Sequence, residues 1–159
     1  MTNKQIVENF YEAFGRRDFK AMNNCYAEDI VFSDPVFGLL QGNEVRSMWQ
    51  MLCTNATDLI LTFDEIIEID HEYITCNWVA SYTFSSTGKK VVNRVKAFMK
   101  VNDGKITEHS DGFRFSTWLG QAFGLKGKLL GWTHFMKRKV QKNARKNLDR
   151  FMEKTLIGE

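Results

Sequence analysis

Apolar positions near the start of the chain recur at helical spacing. Ile6, Val7, Phe10, Tyr11 and Phe14 form one broad stripe and predict an amphipathic helix over residues 4–14. Thr2 or Asn3 supplies its cap and Gly15 its stop. A second short helix begins near Asp18 and buries Phe19, Met22 and Tyr26, so that GRRD closes a helical hairpin. The period then changes. In residues 30–38, IVFSDPVFG, Ile30, Phe32 and Asp34 alternate onto one side of a short strand, and Pro35 ends regular pairing. Helical spacing returns from about Asn43 to Cys53, with Val45, Met48, Trp49 and Leu52 placed for burial.

Four strands follow, over residues 58–69, 72–84, 89–101 and 104–115. Asp70-His71 and Asn102-Asp103-Gly104 supply tight turns, the second because Asp-Gly tolerates positive φ, while residues 85–88 form a looser link. Past Trp118, glycines 120, 124, 127 and 131 break QAFGLKGKLLGW and turn the chain over the sheet. Thr133 caps a last helix to about Thr155, striped by Met136, Val140, Ala144, Leu148 and Phe151 with Met152 beside them. Helices followed by long antiparallel strands predict an α+β fold with helices on one face of a curved sheet. Residues 1–118 form the core, and residues 119–159 a glycine-containing connection and a basic helix packed on the same domain.

Composition narrows the class. At 159 residues and 43% hydrophobic, with thirteen Phe and four Trp, the chain fills one core and is not disordered. Cys25, Cys53 and Cys76 are odd in number and far apart, which reads as reduced thiols in a cytoplasmic protein. The start MTNKQIVENF has no apolar h-region, and no apolar run nears the roughly 18 residues of a membrane span. The net charge of +3 is unevenly spread: residues 126–159 hold ten Lys or Arg against three acids. Such a helix suits nucleic acid or an anionic membrane. Its apolar stripe must be buried, however, and packing it on the domain leaves an ordinary solvated face. With no RRM or helix-turn-helix pattern, no nucleic-acid partner is expected; membrane contact stays the lesser alternative. Arg145 and Asp149 are spaced to pair weakly. No metal is expected, since His71, His109 and His134 are dispersed and no CxxC or HxxxH occurs. No cofactor is expected either: the glycines match neither GxGxxG nor GxxxxGK[ST].

Two stretches, CYAEDIVFSDPVFG (25–38) and VNDGKITEHSDGFRFSTW (101–118), sit in the order helix, helix, strand ending in DPV, helix, four-strand meander. This resembles the NTF2-like superfamily, and within it the SnoaL-like and ketosteroid-isomerase-like branch, over roughly residues 4–117. The resemblance implies a cone, a bent sheet wrapped on N-terminal helices around a pocket, and a homodimer meeting through the outer sheet face. The superfamily holds isomerases, cyclases, epoxide hydrolases, binding domains and transport adaptors, so the fold alone does not select a function.

Asp34 matches the proton-shuttling Asp before Pro of the isomerase-like members, and an apolar wall raises such a carboxyl toward easy proton exchange. The other reading is a cap on the turn before Pro35. An isomerase also needs donors for the developing enolate. Phe10 occupies the position of the family's helix-1 tyrosine, with Tyr11 about 100° further round the helix. The matching strand aspartate falls at Lys96 or Ala97. His109 and Asp111, two apart on a strand, face one side. Asp111 matches the acid-base aspartate of SnoaL-like cyclases and His109 a pocket histidine of this branch; a hydrogen bond between satisfied pocket groups is the plainer reading. The R-x-D of the hydrolase relatives is absent, since the nearest positions are Asn93, Arg94 and Val95.

Trp78, Ala80 and Tyr82 share a strand face, while Arg94, Lys96 and Lys100 alternate with Asn93, Val95, Ala97 and Met99 and suit an outward face. Phe98 interrupts that outward pattern and is a candidate dimer contact. Phe10, Phe14, Trp78, Tyr82 and Asn93 are the candidate pocket lining, suited to a small apolar or aromatic molecule, with core packing as the alternative for the aromatics. The expected function is a pocket protein for such a molecule. Cofactor-free acid-base chemistry of isomerase, cyclase or hydrolase type would rest on Asp34, His109 and Asp111; the alternative is a non-catalytic small-molecule-binding or protein-interaction domain.

Overall fold

The Thr2 hydroxyl accepts from Gln5 N at 3.2 Å while the Gln5 side chain accepts from Thr2 N at 2.8 Å. This reciprocal box starts α1 (Asn3–Gly15). The helix includes Gly15, and the left-handed turn that follows is taken by Arg17 (φ 59) instead. Asp18 caps α2 (Phe19–Asn24) by accepting from Ala21 N at 3.0 Å. Tyr26, expected on that helix, instead opens β1 (Tyr26–Asp34), because its backbone pairs in parallel with Ile106. A short strand that the apolar pattern does not announce, β2 (Gly38–Gln41), folds back on β1 from Gly38 (φ 69). Next come α3 (Asn43–Asn55), β3 (Ile60–Glu68), β4 (Tyr73–Phe84), β5 (Lys89–Asn102) and β6 (Lys105–Gly112). On α3, Val45, Met48 and Trp49 are buried, but Leu52 is exposed, and Met51 and Cys53 take the inner positions.

The computed structural model describes residues 1–130 and 133–157, so the expected turn at Gly131 lies outside the described residues. Its six strands form one curved sheet in the order β2-β1-β6-β5-β4-β3. The predicted meander, β3 to β6, is antiparallel throughout, and β1 joins it parallel to β6. Asp103 (φ 48) and Gly104 (φ 75) make the β5–β6 turn, as the NDG sequence requires. The register shifts beside Thr107, so that Ile106 and His109, three residues apart, are both buried. Helices α1 and α3 supply Phe10, Tyr11, Phe14 and Trp49 to the main core, which they share with Phe32 and Trp78 of the sheet.

The glycine-rich segment makes two short helices, α4 (Phe115–Phe123) and α5 (Leu125–Leu130), parted at Gly124 (φ 73). Thr133 Oγ1 accepts from Met136 N at 3.2 Å and caps α6 (His134–Ile157). The stripe of α6 is buried at two points: Val140 lies in a second core with Val91, Trp118 and Leu119, and Leu148 reaches the main core. Gln141 Nε2 donates to Pro35 O at 3.0 Å, and Arg145 pairs with Glu44 of α3 and with Asp149 at 3.3 Å. The helix is thereby strapped across the DPVF turn and α3.

Candidate functional site

β1 ends in a turn held by its own last side chain. Asp34 Oδ1 accepts from Val36 N at 2.9 Å and from Phe37 N at 2.6 Å, which is the turn-capping geometry Asp favours before Pro. The carboxyl is half-buried. Burial is the main cause that raises its pKa to about 7; the charge of Asp111 adds to this, while the two N–H donors pull the other way. Tyr82 lies close enough to feel Asp34. Burial raises its phenol most, the Asp34 charge contributes, and the Trp118 indole N–H, donating to Tyr82 Oη at 2.9 Å, opposes both. Turn-capping and an acid-base role are therefore compatible, since both turn bonds fall on Oδ1.

Deeper in, His109 and Asp111 meet as the two-residue spacing predicts. His109 Nε2 lies 2.9 Å from Asp111 Oδ1, and Trp78 Nε1 donates to the same oxygen at 3.2 Å. On the far side of the imidazole, Nδ1 lies 2.7 Å from the Tyr26 hydroxyl, which accepts from Trp49 Nε1 at 2.9 Å. An indole only donates, so Tyr26 has its proton free to give to Nδ1, and Nε2 is then the nitrogen that donates to Asp111. Rings enclose the pair: Phe10 and Phe32 stand edge-on to the imidazole, with centroids at 5.5 and 5.1 Å, and Trp49 stacks on it at 6.2 Å. The side chains of His109 and Asp111 are 0% and 2% exposed.

The expected lining residues separate. Phe10, Phe14 and Trp78 are buried and pack on one another and on Trp49 and Tyr11. Tyr82 and Asn93 are half-buried on the same inner face, Asn93 opposite Ala80 in the register. Arg94, Lys96 and Phe98 are exposed on the other face.

Among the described residues, one polar group that α1 contributes has no partner. The Tyr11 hydroxyl is buried without a hydrogen bond, and its phenol is held well above its ordinary pKa, first by burial and next by the Asp111 charge. Helical geometry separates Phe10 and Tyr11 as expected, but the two directions have different neighbours: Phe10 faces His109 and Trp49, and Tyr11 leans on Phe63 and Trp78 within reach of Asp111's field. Tyr26 and Trp49 are the members of this site that pattern reading passes over, while Tyr11 enters it only as the residue turned about 100° from Phe10. Their signal is a polar tip on an aromatic at an otherwise apolar position. Among the described residues no group of three or more His, Cys, Asp or Glu stands arranged to hold a metal ion.

A curved mixed sheet wrapped on N-terminal helices, with carboxyls, a histidine and tyrosines on its inner side, is the NTF2-like architecture. The chain belongs to the family of the SnoaL-like domain, which matches residues 7–109 and leaves α4–α6 outside. Solved structures agree on the fold. A protein of Catenulispora acidiphila with a ketosteroid isomerase-like fold, in complex with trimethylamine, aligns with TM-score 0.67 at 18% identity, over 84% of this chain and 99% of its own. An LEH-like epoxide hydrolase of M. tuberculosis gives 0.63 at 18%, over 81% and 97%. A polyketide cyclase-like protein of Pseudomonas putida KT2440 gives 0.64 at 17%, over 76% and 98%. No curated protein matches the sequence.

Proposed function

We propose that this protein takes up a small, mostly apolar organic molecule and carries out cofactor-free proton transfer on it, of the isomerase, cyclase or hydrolase type. The observation that carries this reading is Asp34: a half-buried carboxyl at the end of β1 whose pKa is raised to about 7. A group with that value gives up and regains a proton near neutrality, as a general acid-base catalyst must. Asp111, held by His109 and Trp78, acts on Asp34 through its charge and is the positioning member of the pair. Tyr11 offers an unspent O–H for a developing oxyanion in the same field. Half-buried Phe37, in the Asp34 turn, and half-buried Tyr82, which feels the Asp34 charge, are the apolar neighbours on which such a substrate would rest. Kinship with small-molecule proteins of this fold supports the substrate class.

The test is a panel of conjugated ketones and epoxides in deuterated buffer, followed by NMR for deuterium uptake or ring opening. Turnover should fall by about 10²- to 10⁴-fold in Asp34→Asn. Equal rates in the two proteins would contradict the assignment.

A second reading is a non-catalytic binding or interaction domain. It is favoured by the His109–Asp111 pair, whose hydrogen bonds are satisfied inside a core filled by Phe10, Phe14 and Trp78. Tight binding of a panel member without any turnover would select it. On either reading we propose a homodimer through the outer sheet face. A shallow groove of about 370 Å³ there is lined by Val31, Ser33, Tyr73, Phe98 and Lys100, and Phe98 is 48% exposed.

A further inference from the structure

Residues 112–148 contain nine Lys or Arg and no Asp or Glu. Within this acid-free stretch, α5 and the first turn of α6 carry large apolar side chains that the domain does not cover. Gly127 sets how α5 lies. A Cβ on it would stand 2.2 Å from the Leu119 carbonyl oxygen, so only a bare glycine lets α5 press this side against α4. At about 100° per residue, the position two earlier points nearly the opposite way. Leu125 is accordingly 73% exposed. Leu130 closes α5 and Phe135 opens α6, and both are exposed, Phe135 to 71%. Lys126, Lys128, Lys137 and Arg138 are exposed beside them in the chain.

The stripe of α6 plays no part here, because Val140 and Leu148 are already buried in the domain. Among the described residues, what this stretch leaves uncovered at α5 and the start of α6 combines hydrocarbon with cations, and the stretch contributes no acid. Exposed apolar side chains gain by leaving water, and clustered cations gain from a negative surface. A nucleic acid answers the second need but not the first; an anionic bilayer answers both.

We propose that this surface docks on an anionic lipid bilayer. Leu125 and Phe135 enter the headgroup boundary, and Lys126, Lys128, Lys137 and Arg138 meet lipid phosphates and carboxylates. The contact is peripheral: among the described residues no helix is long and apolar enough to cross a membrane.

The test is co-sedimentation of the full chain with vesicles of phosphatidylcholine alone and of phosphatidylcholine mixed with phosphatidylserine. Binding is expected to the mixed vesicles, to be released by high salt, and to weaken about tenfold in the double variant Leu125→Ser/Phe135→Ser. Lys126→Glu/Lys128→Glu should weaken it similarly. Both pairs are exposed, so both variants should keep the wild-type melting temperature. The proposal is overturned by failure to bind mixed vesicles, by equal binding to neutral ones, or by binding indifferent to the serine pair. Capture of a single-stranded oligonucleotide without vesicle binding would also overturn it. Because wild-type binding and its salt dependence are read first, the result does not hang on the variants folding.

Discussion

Asp34 holds its turn with one oxygen and titrates in a setting that resists its charge. Its pKa is raised to about 7 in the folded chain from an ordinary 3.8, and the sign of the consequence follows. Between those two values the folded state keeps a proton that the unfolded state has released. The stabilisation is therefore full below about pH 4 and is lost as pH rises through about 7. Asp34→Asn retains an oxygen for Val36 N and Phe37 N but does not titrate. Relative to the variant, the wild type should be more stable at pH 5 than at pH 8, as read by thermal melts at each pH. An unchanged difference between the two proteins would contradict the raised value. Tyr11 is the opposite case, a hydroxyl buried without a partner. Removing it in Tyr11→Phe should leave stability equal or raise it by about 1 kcal/mol, since an unsatisfied buried group costs that order of free energy. The same variant should turn over substrate more slowly if the hydroxyl serves an oxyanion. A clear loss of stability would show that the group is paired after all. Hydroxyls of this kind escape pattern reading because Tyr11 looks like one more member of an apolar stripe. Only its neighbours, Asp111 and Trp78, give it meaning, and they arrive from strands more than sixty positions away.

Among the elements, local chemistry accounts for those whose signals lie within a few residues. Thr2 and Gln5 start α1, Thr133 caps α6, and the NDG turn pins β5 to β6, so these follow from adjacent residues. The elements that depend on distant pairing do not. β1 begins at Tyr26 through Ala27, Glu28 and Asp29, residues poorly suited to a strand, and is held there by β6. β2 has only four residues and exists because Leu40 is buried as the chain returns along β1. The shift beside Thr107 breaks the two-residue rule between Ile106 and His109, yet leaves it intact from His109 to Asp111; the pair was therefore readable where its distance from Ile106 was not. At Gly127 the relevant contact is again distant. Gly127→Ala places a methyl against the Leu119 backbone, which has no flexible end to move. We expect a loss of about 1–3 kcal/mol in urea unfolding, or detachment of α5 seen as faster amide exchange in residues 119–130. Wild-type stability and exchange in this variant would contradict the close packing.

For the whole molecule, α6 has a role beyond carrying charge. It ties the second core to the first through Val140 and Leu148, and it crosses the Asp34 turn with Gln141 on Pro35 O. Leu148 is fully buried, so Leu148→Ala should cost about 2–5 kcal/mol in denaturant unfolding. A surface-like loss well under 1 kcal/mol would mean that the helix only rests on the domain. Across the inner face, Asp111 is one of the causes raising Asp34, Tyr26 and Tyr11, which links groups from β1, α1 and β6 electrostatically. Burial first, and that field in addition, keep a proton on Asp34, and the proposed chemistry depends on that proton. The direct measurement is a carbon-detected NMR titration of the Asp34 side-chain carboxyl in the wild type and in Asp111→Asn. The midpoint should lie near 7 in the wild type and move down in the variant. A midpoint of about 4 in the wild type, the ordinary value for aspartate, would contradict the account.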